Sequence, residues 1–241
     1  MVLALLADIH ANLEAFQVVL EDIKQQKCTH FACLGDVVGY NANPKECLDI
    51  VRNMNIPVVK GNHDEYCSSE GALDGFNPAA AEAVNWTRKQ LSDEDRQWLR
   101  DLKYTRMVTN FTIVHATLDG PQRWGYVFDK LAAAASFTYQ NTAVCFFGHT
   151  HVPMLIGTKS LVTDLQDTKT FQLDRNERYM INPGSVGQPR DKCPLSSFGI
   201  FDTRNWTMTF IRKPYDFRRA QKLIIESGLP EKFARRLSVG V

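Results

Sequence analysis

Val2-Leu3-Ala4-Leu5-Leu6-Ala7-Asp8-Ile9-His10 is an apolar run that stops on a carboxylate and an imidazole. Such a run is too short to span a bilayer and suits a strand buried on both faces. The pattern recurs. An apolar run over 30–34 ends at Gly35-Asp36, and another over 56–60 ends at Gly61-Asn62-His63-Asp64. Between them lie segments of helical spacing. Residues 12–26 carry Leu13, Phe16, Val19, Leu20 and Ile23 on one stripe, and 44–54 opens with Pro44 at a first helical turn. This β-α-β-α-β order predicts parallel strands joined by right-handed crossovers. All three polar loops then fall at the carboxyl ends of strands, where open α/β sheets take their ligands.

Working outward, 65–103 reads as helical, with start signals at Asn77-Pro78 and Ser92-Asp93-Glu94-Asp95. A strand is expected over 107–114, a helix over 130–139, and a short buried strand over 143–147 ending at Gly148. From 153 to 211 apolar and polar residues alternate between turn signals at Gly157 and Asn182-Pro183-Gly184, which predicts antiparallel strands. A helical tail over 216–241 is broken at Gly228-Leu229-Pro230. With no repeat and no linker, one domain over 1–241 is expected, 65–103 being a helical insertion. Trp86, Leu91, Trp98 and Leu99 of that insertion are expected to pack on the sheet rather than form a lid or a dimer surface.

The 241 residues are 44% hydrophobic and 23% charged, which is globular composition and argues against disorder. Twenty-eight Lys+Arg against 27 Asp+Glu give +1, without the basic excess of a duplex-binding protein. No nucleic-acid partner beyond a small nucleotide is expected. Residues 211–241 hold eight Lys+Arg and three Asp+Glu, a local +5 that reads as a solvated helix face. Its alternative is a contact for an anionic partner or a second subunit, so a homo-oligomer stays open. The six cysteines form no C-x-x-C pair, and the apolar opening lacks a basic region before it. A cytoplasmic protein with reduced thiols and no membrane association is expected.

Of six histidines, His10, His63, His115, His149 and His151 each follow an expected strand beside a small or acidic residue. His30 precedes its strand and has no acidic companion, so it reads as an ordinary residue. Five imidazoles at equivalent positions are hard to explain as packing. They fit a two-metal centre, in which one carboxylate must neutralise two cations about 3.5–4 Å apart. Asp8, His10, Asp36, Asn62, His115, His149 and His151 supply donors of that type. In Asp8-x-His10 and His149-x-His151, alternate side chains of an extended strand end would point the same way.

Asp8-x-His10, Gly35-Asp36, Gly61-Asn62-His63-Asp64, Val114-His115 and Gly148-His149-Thr150-His151, in this order, resemble the calcineurin-like metallophosphoesterase superfamily. Asn182-Pro183-Gly184-Ser185 extends the likeness, and the small bacterial and archaeal phosphodiesterase branch is the most similar. The resemblance implies a four-layer α/β/β/α sandwich of two mixed sheets flanked by helices. It implies two divalent transition-metal ions (Mn, Fe, Ni, Co or Zn, with Mn favoured). Asp8, His10 and His151 fall on the first, Asn62, His115 and His149 on the second, and Asp36 bridges. It makes His63 the general acid that protonates the leaving oxygen, and Asp64 the partner that orients His63 and raises its pKa. The implied reaction is attack of a metal-bound hydroxide on a small phosphorylated substrate, a phosphodiester first of all.

The sequence departs from protein phosphatases of the superfamily, which follow Gly-Asp with a phosphate-holding arginine. Here Gly35-Asp36 is followed by Val37-Val38-Gly39-Tyr40-Asn41. After His115 the chain reads Ala116-Thr117-Leu118-Asp119-Gly120-Pro121, which leaves the pocket near Arg123, Trp124 and Tyr126 open. Arg190 reads either as a donor fork for the substrate phosphate or as a surface partner of Asp191. A phosphomonoesterase, a dinucleoside polyphosphate hydrolase and a non-catalytic scaffold are the alternatives. H-E-x-x-H and C-x-x-C signatures of metallopeptidases and deaminases are absent.

Overall fold

The opening apolar run forms β1 (Val2–Leu6), followed by α1 (Leu13–Gln25), β2 (His30–Cys33) and α2 (Pro44–Asn53). This is a computed structural model, and it describes residues 1–73 and 77–241. Helices α3 (Asn62–Ser68), α4 (Pro78–Gln90) and α5 (Asp93–Asp101) come next. Then follow β3 (Thr105–Val108), β4 (Phe111–Val114), α6 (Lys130–Tyr139) and β5 (Val144–Phe146). The rest is β6 (Met154–Gly157), β7 (Leu161–Val162), β8 (Lys169–Gln172), β9 (Tyr179–Asn182), β10 (Ser196–Asp202) and β11 (Thr207–Lys213). Helices α7 (Phe217–Glu226) and α8 (Glu231–Leu237) close the chain.

One sheet has the order β2-β1-β10-β11-β8 and the other β3-β4-β5-β9-β6-β7. Both are mixed: β1 runs parallel to β2 and antiparallel to β10, while β5 lies parallel to both β4 and β9. Strand alternation assigns the layers. Leu3 and Leu5 of β1 meet Phe146 and Ile181 between the sheets, whereas Ala4 and Leu6 face Phe16, Val19 and Leu48 of the helical layer. On the far side Cys145 and Phe147 pack with Ala133 and Phe137 of α6. The result is the expected α/β/β/α order. Leu91 and Leu99 are buried in the helical layer and Trp86 and Trp98 pack on it, but α4 and α5 rest mainly on α2 and α3 rather than directly on the sheet.

Two expected strands differ. The run over 56–60 makes only isolated bridges, Val58 to Cys33 and Val59 to Lys103. Pro57 can accept from Cys33 N–H but has no N–H to return, so the ladder cannot extend. The strand expected over 107–114 is a hairpin, because Thr109 takes a left-handed φ of 53° and reverses the chain between β3 and β4. The basic tail is also more than a solvated face. Ile224, Phe233 and Leu237 of α7 and α8 are buried in the helical-layer core. No helix among the described residues is long and apolar enough to cross a membrane, and the six cysteines are free.

Candidate metal centre

Five chain segments meet at one edge of the two sheets. Asp8 and His10 follow β1, Asp36 follows β2, His115 follows β4, and His149 and His151 follow β5. Gly61-Asn62-His63-Asp64 is no loop. Gly61 caps α3, and the other three form its first turn. Nor do Asp8-x-His10 and His149-x-His151 continue their strands. Asp8, His10, Asp36, His149 and His151 have left-handed φ values of 54°, 48°, 53°, 68° and 59°. Such backbone costs of order 1 kcal/mol per residue and persists where its surroundings impose it. Here Asp8 N–H donates to Gly35 O at 3.1 Å and His10 N–H to Asp36 O at 2.9 Å. Turns, not strand pleating, aim these side chains inward.

Asp36 stands at the middle. Its Oδ2 lies 3.4 Å from both His10 Nε2 and His115 Nε2, while Oδ1 accepts the His63 backbone N–H at 2.8 Å. Two buried donor groups share it: Asp8, His10, Asp36 and His151, and then Asp36, His115 and His149. Within each group the donor atoms lie within 4.8 Å of one another. Half-buried Asn62 joins the second group, its Oδ1 3.2 Å from His115 Nε2.

The hydrogen bonds test whether this set suits a metal. His10 Nδ1 reaches Val38 O at 3.1 Å, His151 Nδ1 reaches Gln188 O at 2.6 Å, and His115 Nδ1 reaches Leu34 O at 2.7 Å. A carbonyl only accepts, so each Nδ1 carries a proton, and the neutral rings of His10 and His151 turn a bare Nε2 inward. His149 is the mirror case, with Nε2 on Trp124 O at 2.9 Å and Nδ1 left as donor. The consequence is that His10 Nε2 and His151 Nε2 face each other at 3.1 Å, lone pair to lone pair. His115 Nε2 faces the oxygens of Asp36 and Asn62, and it can ligate once a cation displaces its proton. A cation among these atoms turns mutual repulsion into coordination. The residues fit divalent metal.

Charge agrees. Burial holds His10 and His151 well below the usual imidazole range, and burial with the His115 charge brings His149 down to about 3. These three rings are neutral and able to ligate. Burial would also lower His115, but the Asp36 charge and hydrogen bond carry it up to about 9. Asp36 itself lies well below the carboxylate range: burial raises it, and the facing His115 and His10 outweigh burial. Burial pushes Asp8 up to about 7, with the Asp36 charge adding to the rise. Two acids crowded without a full counter-charge are what a bound cation neutralises.

The profile of the calcineurin-like phosphoesterase superfamily domain matches residues 1–206. The chain belongs to this superfamily. It is 36% identical over 246 residues to the uncharacterized protein MJ0912 of Methanocaldococcus jannaschii, covering 99% of this chain and 98% of that one. A metallophosphoesterase from Sphaerobacter thermophilus superposes with a TM-score of 0.87 at 38% identity, covering 100% and 99% of the two chains. The hypothetical protein PH1004 from Pyrococcus horikoshii OT3 shares the fold, with a TM-score of 0.81 at 19% identity and 100% and 98% coverage.

Within this phosphoesterase fold, His63 differs from the other four histidines of the site. Neither ring nitrogen is engaged by a described residue, and Nδ1 is buried without a partner. The ring sits 4.9 Å from His10 and 4.2 Å from Tyr40, and a Cβ on Gly39 would come within 2.5 Å of Nδ1. Asp64, expected to orient it, does something else. Its Oδ2 accepts from Asp36 N at 2.8 Å and Gly61 N at 2.9 Å, and its Oδ1 from Val37 N at 2.9 Å and Val38 N at 3.3 Å. As third residue of α3, it reaches back to the amides at the helix start and gathers the Asp36 loop. Nor is His63 raised: burial brings it down to about 4 despite the Asp36 charge.

Asp64→Asn is therefore expected to act on Asp36 rather than on His63. An amide cannot accept with its NH2, so at least one backbone N–H loses a charged acceptor, at about 1.5–3 kcal/mol per hydrogen bond. Chemical denaturation should show a loss of about 3 kcal/mol, and metal titration a weaker affinity. Unchanged values in both would show that this amide cage is dispensable.

Arg190 does not pair with Asp191, which binds Arg212 instead. Its Nη2 donates to Gln188 Oε1 at 2.7 Å and its guanidinium lies over Tyr40 at 5.5 Å. Arg123 is exposed and folds over Gly120, whereas Trp124 stands 5.9 Å from the His115 ring. Tyr126 stacks on His149 at 4.3 Å and Phe128 stacks on Tyr126 at 5.7 Å. Sequence reading passed over Tyr40 as a participant. It lies in the stretch after Gly35-Asp36, which holds no arginine, and it touches both His10 and His63.

Proposed function

We propose that this chain is a metal-dependent phosphoesterase that cleaves a phosphodiester of a small organic molecule, with His63 giving a proton to the leaving oxygen. The observation that carries it is the pair of donor groups sharing Asp36, their lone pairs already turned on one another. Asp8, His10 and His151 would hold one divalent ion, and Asn62, His115 and His149 the other, with Asp36 between them. When bound, such ions, manganese being the expected activator, supply Lewis acidity and make water a nucleophile near neutral pH.

The chain's own groups supply the rest. His63 is held by its backbone on Asp36 and by packing on Tyr40, yet its ring is unengaged, so a proton on it has no competing acceptor. A non-catalytic scaffold has no use for that arrangement. The aromatic rings beside His149 form a ledge, since Tyr126 and Phe128 are 53% and 52% exposed. A planar aryl or base group stacked there gains about 1–3 kcal/mol.

No arginine follows Gly35-Asp36, so a dianionic monoester lacks a charge partner that a monoanionic diester does not need. In Mn²⁺, kcat/KM for bis(4-nitrophenyl) phosphate is expected to exceed that for 4-nitrophenyl phosphate at least tenfold, about 1.4 kcal/mol of transition-state preference. A tenfold preference for the monoester would reverse the diesterase reading.

A further inference from the structure

Tyr40, beside His63, also lines a cavity of about 470 Å³, within the size range of small-molecule sites. Tyr40, Arg190, Phe233, Lys232 and Arg236 line it, the last three from α8. The cavity adjoins the site through one side chain: Tyr40 touches His63 at 4.2 Å and Phe233 at 4.9 Å.

Most cations of the basic tail are paired. Arg212, Lys213 and Arg235 each have a carboxylate partner, in Asp191, Asp22 and Glu231. Among the described residues, no Asp or Glu pairs with the three cations of the cavity. Arg190 turns to Gln188 Oε1, Lys232 donates to Asn77 Oδ1 at 2.6 Å, and Arg236 Nε to Val241 O at 2.5 Å. A merely solvated helix face pairs its charges along the helix, as Arg235 does with Glu231 one turn away. Partial burial and the charge of Arg190 also hold Arg236 below its usual range, a sign of like charges brought together. Like charges gathered in a concave site, with aromatic walls and no Asp or Glu in its lining, are stabilised by an anion that accepts from several of them.

We propose that this cavity is a subsite for a second phosphate of the substrate, apart from the phosphorus that is cleaved. The substrates are then small organic phosphodiesters that carry an additional phosphate. Lys232 and Arg236 recognise that phosphate, and Arg190 stands between it and the metal centre. This deepens the phosphoesterase reading and rests on it for the word substrate, but the anion site can be tested by itself.

Two measurements do so. Calorimetric titration of the purified protein with inorganic pyrophosphate should show binding that weakens at least fivefold in Arg236→Ala and in Lys232→Ala. Arg235→Ala, a charge loss on the same helix outside the cavity, should bind as wild type does. In Mn²⁺, the kcat/KM ratio of thymidine 5′-(4-nitrophenyl phosphate) with and without a 3′-phosphate should be at least ten. It should fall several-fold in both cavity variants, and Arg236→Lys should recover part of it. Pyrophosphate binding that ignores both substitutions, or a wild-type ratio near one, overturns the subsite. Cleavage of neither ester, with pyrophosphate binding still lost in both variants, overturns the phosphoesterase reading and upholds the anion site.

Discussion

Asp36→Ala is expected to empty the centre of metal. Elemental analysis of wild type should find roughly two transition-metal ions per chain, as in two-metal hydrolytic sites, or uptake of as many from Mn²⁺. Asp36→Ala should retain well under half of that. No other single change should remove as much, because Asp36 Oδ2 alone lies 3.4 Å from an imidazole of each donor group. Stability offers a second readout. Metal at about a hundred times its Kd adds ~2.7 kcal/mol to a protein that binds it only when folded. Wild type should melt higher in Mn²⁺, and Asp36→Ala should melt at one temperature with or without it. Metal content and melting unaffected by Asp36→Ala would dismantle the shared-carboxylate reading.

His63→Asn should do the reverse, sparing metal and removing turnover. The ring of His63 touches neither donor group by hydrogen bond, so metal content should stay near wild type. For an ester with a poor leaving group, kcat should drop about 10²–10⁴-fold, the usual size of a general-acid contribution. For 4-nitrophenolate, which leaves as an anion, the drop should be much smaller. Burial holds the resting imidazole down to about 4, so the negative charge of a bound ester is needed to favour its protonated form. Equal losses on good and poor leaving groups, together with lost metal, would make His63 a structural residue.

The contrast with Asp64 shows where sequence reasoning ends. Adjacent in the sequence, His63 and Asp64 look like an acid and its orienting carboxylate. On the first turn of α3 they diverge, and Asp64 serves the amides of 36–38 while the His63 ring stays unengaged. Which donors a carboxylate finds depends on a loop from elsewhere in the chain, and no local pattern encodes that.

Other features were legible because they are local. An apolar run ending at Asp8 specifies a buried strand, since it is too short for a helix of ordinary length and hides side chains on both faces. Histidine and carboxylate after successive strands specify the chemistry of the sheet edge through ligand type and strand direction. The order of layers was implied by the family resemblance of the motifs, not by periodicity. By itself, then, the sequence determined the fold class, the family motifs and the residue types gathered at the site. The tertiary structure alone decided the left-handed turns that aim Asp8, His10, Asp36, His149 and His151, and the sharing of one Asp36 oxygen. It also brought α8 beside Tyr40, turning a charge run into a cationic cavity. The physical reason is range: propensity and periodicity act within a few residues, whereas a side chain's partners are set by whichever distant segments the core packs against it.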